Sequence, residues 1–315
     1  MTRAPLRVAL GGGGTDLPSY YREHGGGFVV STAIDRYVHM VLSRSFQRRF
    51  RLKHLEWEEV EQPDEVRHPI LRETLRRHWN GDPLELASVA DAPPGTGLGS
   101  SGAYTVCAIK SVTLAGGRDL EPAPLAEAAC EIEIDVLEQR VGKQDQYAAA
   151  FGGAHAYTFN PDDSVDVRPL ELPAEVCRAL RDDFLLFFSG RERSASDVLS
   201  GQKAGDAVHR LKQLAYETCA ALEAGDLARC AELMNENWEA KRGRAPGTVT
   251  PEMDDLRDLA RRSGADGVIS LGAGGGGFLL VYSTEPDRTR RAMHEAGAPE
   301  LTFGLDADGC VGLGR

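Results

Sequence analysis

The sequence predicts an α+β protein built as two domains, and three observations predict it. At 315 residues the chain is long for one domain and natural for two. Strand-like runs fill it up to about residue 90 and then give way to helical periodicity. Beyond a proline- and aspartate-rich stretch at 160–175, "NPDDSVDVRPLELPAE", strands and helices begin again. The expected division is 1–172 and 173–315.

The elements follow in order. "APLRVALGGGG" is a short strand, because its apolar run stops at four glycines. "GGFVVSTAIDRYVHMVLSRSF" continues with the β-branched and aromatic residues of strands. The basic "RRFRLKH" runs into the acidic "EWEEVE", which reads as a solvated strand pair rather than a phosphate-binding patch. A short helix near Leu71 to Trp79 and a strand "LELASVAD" precede a glycine-rich turn. Helices are expected at Ala103–Leu114 and Leu125–Arg140, then across "QDQYAAAFGG", where the paired glycines stop the last one. The second half offers a strand "FLLFFSG" and helices at Ala204–Glu223, Leu227–Lys241 and Pro251–Arg262. "GVISLGAGGGGFLLVYS", a final helix and the strand-like "ELTFGL" close it.

Composition narrows the function. With 36 basic against 48 acidic residues, the net charge of −12 opposes gripping a nucleic-acid backbone or an anionic membrane. The six cysteines have no CxxC spacing and read as thiols of a reducing compartment. No secretory signal or run of eighteen apolar residues is present, so a cytoplasmic protein is expected, with a homodimer compatible.

Three glycine patterns carry the chemistry. Gly97, Gly99 and Gly102 satisfy GxGxxG, as do Gly272, Gly274 and Gly277, but a dinucleotide fold fails on context. The first lacks a following strand ending in an acid, and the second leads into a strand instead of a helix. A P-loop needs lysine where Ser100 stands. What remains is a loop whose main-chain N–H groups can wrap a polyphosphate at the start of a helix. Ser100 and Ser101 there are N-caps or magnesium ligands. On a wheel of 100° per residue, Glu133 falls within the apolar arc of its helix, whereas Glu127, Glu131, Asp135 and Glu138 do not. A carboxylate so placed is metal-bound or part of a core salt bridge. Asp145, two residues after Lys143 at a helix mouth, either orients a hydroxyl or caps the helix, with the lysine helping to stabilise charge.

Together these motifs resemble the GHMP kinases, from about Pro5 to Tyr282 and in the family's order. "PPGTGLGSSGA" resembles the family phosphate loop, "GGGGTDLP" its substrate motif and "GAGGGGFLL" its last glycine motif. The resemblance implies a ribosomal-protein-like N-terminal domain and a ferredoxin-like C-terminal one, with ATP and Mg2+ as cofactors and a small-molecule acceptor. Pro94, Gly95, Thr96, Gly97, Leu98, Gly99, Ser100 and Ser101 would hold ATP, and Ser101 and Glu133 the metal. Asp145 would face the acceptor hydroxyl with Lys143 nearby. Arg7, Gly12, Gly13, Gly14, Thr15, Asp16, Arg193, Gly274, Gly275 and Gly276 would hold the acceptor.

"GKQDQYAAAFGG", "FFSGRERSASDVL" and "NENWEAKR" look most like sugar kinases acting on the anomeric hydroxyl of a heptose 7-phosphate. Two positions depart from the pattern. Gly102 replaces an alanine, at a cost of about 1 kcal/mol in helix propensity. Ile269 stands where a lysine is expected, so a far phosphate would fall to Arg193, Lys241 or Lys143. Rival readings are another kinase of the superfamily, an ATP-dependent decarboxylase, and a sugar sensor on the same fold; the sensor should lack Glu133 or Asp145, and both are present.

Overall fold

The computed structural model describes residues 1–191, 205–245 and 247–314. The first half comprises β1 (Thr2–Gly11), a single turn α1 (Pro18–Tyr21), β2 (Gly27–Arg44), β3 (Phe50–Lys53), β4 (Trp57–Val60), α2 (Pro69–His78) and β5 (Leu84–Ala90). It continues with α3 (Ser100–Ala115), α4 (Pro122–Cys130), α5 (Gln144–Phe151), β6 (Ala154–Phe159) and β7 (Val165–Pro169). The second half holds α6 (Ala174–Asp182), β8 (Phe184–Phe188), α7 (Asp206–Glu223), α8 (Leu227–Arg242), α9 (Pro251–Arg262), β9 (Ala265–Ser270), β10 (Phe278–Ser283), α10 (Pro286–Glu295) and β11 (Val311–Gly312).

β2 organises the first sheet. Along one side it pairs with β1; along the other its first half pairs with β6 and its second half with β5. Residues 27–34 are buried without interruption, because α3 and α5 pack with β1 and β2 and α7 also contacts both strands. A strand covered on both faces reads as a continuous apolar run. The charged hairpin behaves as the charge pattern implies: β3 and β4 pair antiparallel, and Arg49 and Arg51 both bridge to Glu59.

The second sheet is antiparallel, in the order β8–β10–β9, with α8 against β9. The chain then leaves this sheet. "ELTFGL" forms only isolated bridges, Phe187 to Glu300 and Ile34 to Leu305, and β11 pairs with β1. The last residues therefore complete the first sheet instead of closing the second domain. All six cysteines are free thiols, five of them buried. Among the described residues no helix is long and apolar enough to cross a membrane.

The helix expected over 125–140 ends sooner. It turns π-helical over Glu131–Val136, where the Leu137 N–H donates to the carbonyl of Ile132. The Gln139 N–H then donates to the carbonyl of Glu133, with Glu138 at φ 51°, and the chain stops as a helix. The turn leaves Glu133 with no exposed surface.

Candidate active site

The glycine-rich stretch 94–99 connects β5 to α3, and Gly95, Gly97 and Gly99 have φ of 72°, 85° and 76°. This alternation of backbone handedness turns successive N–H groups toward one side, a conformation that glycine adopts without strain. Leu98, fully buried, pins the loop to the core, and Ser100 opens the sixteen-residue helix α3. The loop is also locked from the other half of the molecule. The Phe278 N–H donates to the carbonyl of Thr96 at 3.0 Å, and a Cβ on Gly272 would sit 2.7 Å from Cα of Gly97.

A cavity of about 240 Å³ opens beside this loop, lined by residues of both halves. Arg7 ties its parts together. From β1 the nearly buried guanidinium donates through Nε and Nη2 to Oδ1 of Asp145, at 2.9 and 2.6 Å, and through Nη1 to the carbonyl of Gly97. Gln144 also donates to Oδ1 of Asp145, at 3.1 Å. Among the described residues Oδ2 of Asp145 accepts no hydrogen bond, and Asp145 lines the cavity.

Behind the loop, Ser101 donates its hydroxyl proton to Glu133 at 2.8 Å, and Gln146 donates to the other carboxylate oxygen at 3.1 Å. Burial pushes the Glu133 carboxyl above the ordinary range, against these hydrogen bonds and with the charge of Asp145 adding to the rise. The pair fits a hard cation: its donors are oxygens, one a carboxylate costly to bury alone, with Ser101 lining the cavity at the start of α3 and Glu133 buried behind it. Asp16 accepts from the backbone N–H of Gly14 at 3.0 Å and of Gln144 at 3.3 Å, and burial followed by Asp145 raises its pKa.

Several expected site residues lie elsewhere. Lys143 faces a different cavity, donating to Glu127 and to the carbonyl of Asp163. Residues two apart do not share a side of a helical turn, which separates it from Asp145. Thr15 is fully buried and spends its hydroxyl on the carbonyls of Gly12 and Phe28. Gly12 likewise lies off the cavity, which Gly13 and Gly14 line. Of the last glycine motif, Gly272 and Ala273 line the cavity, whereas Gly274, Gly275 and Gly276 pack against Thr248 and Arg191. Pro94, Thr96 and Leu98 shape the phosphate loop without lining the cavity. Arg193 lies outside the described residues. Ile269 lines the cavity as a buried apolar side chain. Sequence reasoning gave no role to Gln146 or Asn237, although "GKQDQYAAAFGG" and "NENWEAKR" contain them, nor to Arg244, just past a helix end.

The comparisons with known proteins agree with this geometry. Residues 68–153 match the GHMP kinases N terminal domain and residues 219–299 the GHMP kinases C terminal domain. The chain belongs to the GHMP kinases. It is 29% identical over 300 residues to the D-glycero-alpha-D-manno-heptose 7-phosphate kinase of Campylobacter jejuni, covering 89% of this chain and 88% of that protein. The crystal structure of a D-glycero-D-manno-heptose 1-phosphate kinase from Bacteroides thetaiotaomicron superposes with a TM-score of 0.82 at 26% identity, covering 100% of this chain and 98% of that one. Phosphomevalonate kinase of Streptococcus pneumoniae shares the fold at 16% identity, with a TM-score of 0.79 and coverage of 96% and 98%.

For a GHMP kinase with glycine at 102, the packing supplies the reason. A Cβ there would approach Cβ of Asp145 to 2.7 Å and the backbone N of Gln146 to 2.9 Å. G102A therefore gains about 1 kcal/mol of helix propensity and loses more to the overlap of α3 with α5. The expected result is a lower melting temperature and a fall in kcat/KM of roughly 10- to 100-fold as Asp145 is displaced. Calorimetry and steady-state kinetics on the purified variant check both, and an unchanged kcat/KM would show that the contact is inconsequential.

Proposed function

We propose that this GHMP kinase transfers the γ-phosphoryl group of ATP to the anomeric hydroxyl of a heptose 7-phosphate, giving a heptose 1,7-bisphosphate. The observation that carries the reading is Asp145: Arg7 fixes one carboxylate oxygen, the other accepts no hydrogen bond among the described residues, and the residue lines a cavity bordered by the glycine loop. Phosphoryl transfer passes through a loose transition state, so alignment and charge neutralisation supply most of the catalysis. The N–H groups of the loop and the start of α3 hold the nucleotide phosphates. Ser101 and Glu133 hold the metal, and Mg2+ bound there would neutralise charge on the β- and γ-phosphate oxygens. Oδ2 of Asp145 accepts a hydrogen bond from the acceptor hydroxyl and aims its oxygen at the γ-phosphorus. Arg7, joined to both Asp145 and the carbonyl of Gly97, keeps acceptor and donor in register.

The heptose phosphate as acceptor rests on the heptose motifs of the sequence and on the two heptose kinases it is similar to, whose names differ in the phosphate they specify. Incubation with Mg-ATP and a panel of free sugars, heptose 1-phosphate and heptose 7-phosphate, followed by phosphorus NMR, locates the new ester. The expected product carries a new anomeric phosphate on the 7-phosphate. Turnover of other acceptors with none of any heptose phosphate would refute the substrate while keeping the kinase.

A further inference from the structure

We infer that Arg244, together with Asn237 and Lys241 on one stripe of α8, anchors a phosphate ester carried by the acceptor at the end remote from the hydroxyl that is phosphorylated. The inference rests on the acceptor-kinase reading above and names the group that would recognise a sugar phosphate over a free sugar.

Arg244 follows the end of α8, and its N–H still donates to the carbonyl of Lys241 at 3.1 Å. Positions 237, 241 and 244 therefore keep the spacing of one helix face, and all three side chains line the cavity. The guanidinium lies over the glycine turn: a Cβ on Gly14 would approach Nη1 and Nη2 to 2.6 Å. Among the described residues no carboxylate forms an ion pair with it, and its Nε is buried without a hydrogen-bond partner. Burial pushes its pKa below the usual arginine range, opposed by the charge of Asp16. Asn237 is only 4% exposed and its side-chain oxygen also lacks a partner, as does the hydroxyl of fully buried Ser270. Lys241 lies beneath, donating to the carbonyls of Ser270 and Gly272 and so fixing the floor.

A desolvated guanidinium left without an acceptor costs free energy, and the planar fork of arginine matches the oxygens of a phosphate. Its neighbours in the cavity differ from those of the glycine loop. Arg244 borders Gly14, whose N–H holds Asp16, whereas Arg7 binds Asp145 to the phosphate loop. On this reading the cavity takes one anion at the glycine loop and a second at Arg244. Ile269, a buried apolar side chain lining the same cavity, brings no charge to this site.

The test compares D-glycero-D-manno-heptose 7-phosphate with the same heptose lacking its phosphate, in Mg-ATP kinetics and in calorimetric titration without nucleotide. The wild-type kinase should favour the ester in kcat/KM by about 10³-fold or more. R244M should cut that preference about 100-fold, mainly through KM for the ester, with a matching loss of ester binding. R244K should recover part of it, because an ammonium keeps the charge and loses the fork. N237D sets a carboxylate on the same stripe and should weaken ester binding similarly, so it serves if R244M does not fold.

A wild-type enzyme that uses free heptose as well as the ester overturns the anchor and leaves the kinase reading intact. R244M with wild-type preference does the same. If neither heptose is turned over, the heptose reading falls, and the titration still decides the anchor: ester binding lost in R244M supports it, and absent or unaltered binding overturns it.

Discussion

D145N is expected to lower kcat by about 10³-fold or more, while the dissociation constant for ATP changes only a few-fold. The asymmetry comes from how the carboxylate is held. Arg7 and Gln144 all donate to Oδ1, so an asparagine there must offer them its only oxygen. Its NH2 group then occupies the place of Oδ2 and presents donors where the acceptor hydroxyl needs an acceptor. Turning the amide over would instead point NH2 at a guanidinium, donor against donor. The nucleotide contacts proposed for the main chain of 94–101 are untouched in kind. Rapid-quench measurement of a single turnover, with fluorescence titration of an ATP analogue, reads the two quantities apart. Near-normal single-turnover rates would remove Asp145 from its assigned position.

The ion pair also explains which parts of the site were legible beforehand. Asp145 stood out because it opens a helix after a glycine, but its partner could not be read locally. Lys143 is near in sequence and points away, whereas Arg7 is 138 positions earlier and reaches Asp145 from β1. Only the pairing of β1 with β2, and the packing of α5 on β1, bring them together. Thr15 misled for a related reason: a threonine after glycines can face a ligand or staple its own turn, and here it bonds to Gly12 and Phe28. The phosphate loop was readable because its conformation is local, set by glycines at alternate positions. Arg244 carried no signal, since a basic residue just past a helix end is ordinary dipole chemistry until the fold buries it.

The fold divides in the same way. Periodicity located α9 over 251–262 as built, because an amphipathic surface helix declares its own period. It failed where the backbone left that period, at the π turn of 131–136. Glu133 nevertheless lies inside as its position on the wheel predicts, because α4 carries the buried arc as far as Cys130 and the π turn starts from there. The return of the chain to β1 through β11 depends on two residues pairing across the whole sequence, which no local pattern announces.

Glu133 separates function from stability most sharply, and E133Q is expected to abolish measurable magnesium-dependent turnover, a loss of about 10³-fold or more, without lowering the melting temperature of the ligand-free protein. The wild-type carboxyl has no exposed surface, and its burial is only partly offset by the hydrogen bonds it accepts. A glutamine of the same shape sheds the cost of a buried charge. Its amide finds partners in either orientation: with NH2 toward Ser101 the hydroxyl reverses to accept and Gln146 still donates to the oxygen, or with NH2 toward Gln146 the unpartnered oxygen of Gln146 turns to accept and Ser101 still donates. What glutamine cannot supply is a negative oxygen beside Ser101, so the extra thermal protection that Mg2+ adds to a bound non-hydrolysable ATP analogue should disappear. Differential scanning calorimetry with the analogue, with and without Mg2+, gives this directly. Retained turnover with the wild-type magnesium dependence would make Glu133 a core carboxylate satisfied by its hydrogen bonds alone. A melting temperature several degrees lower would assign it to the packing of α3 against the π turn.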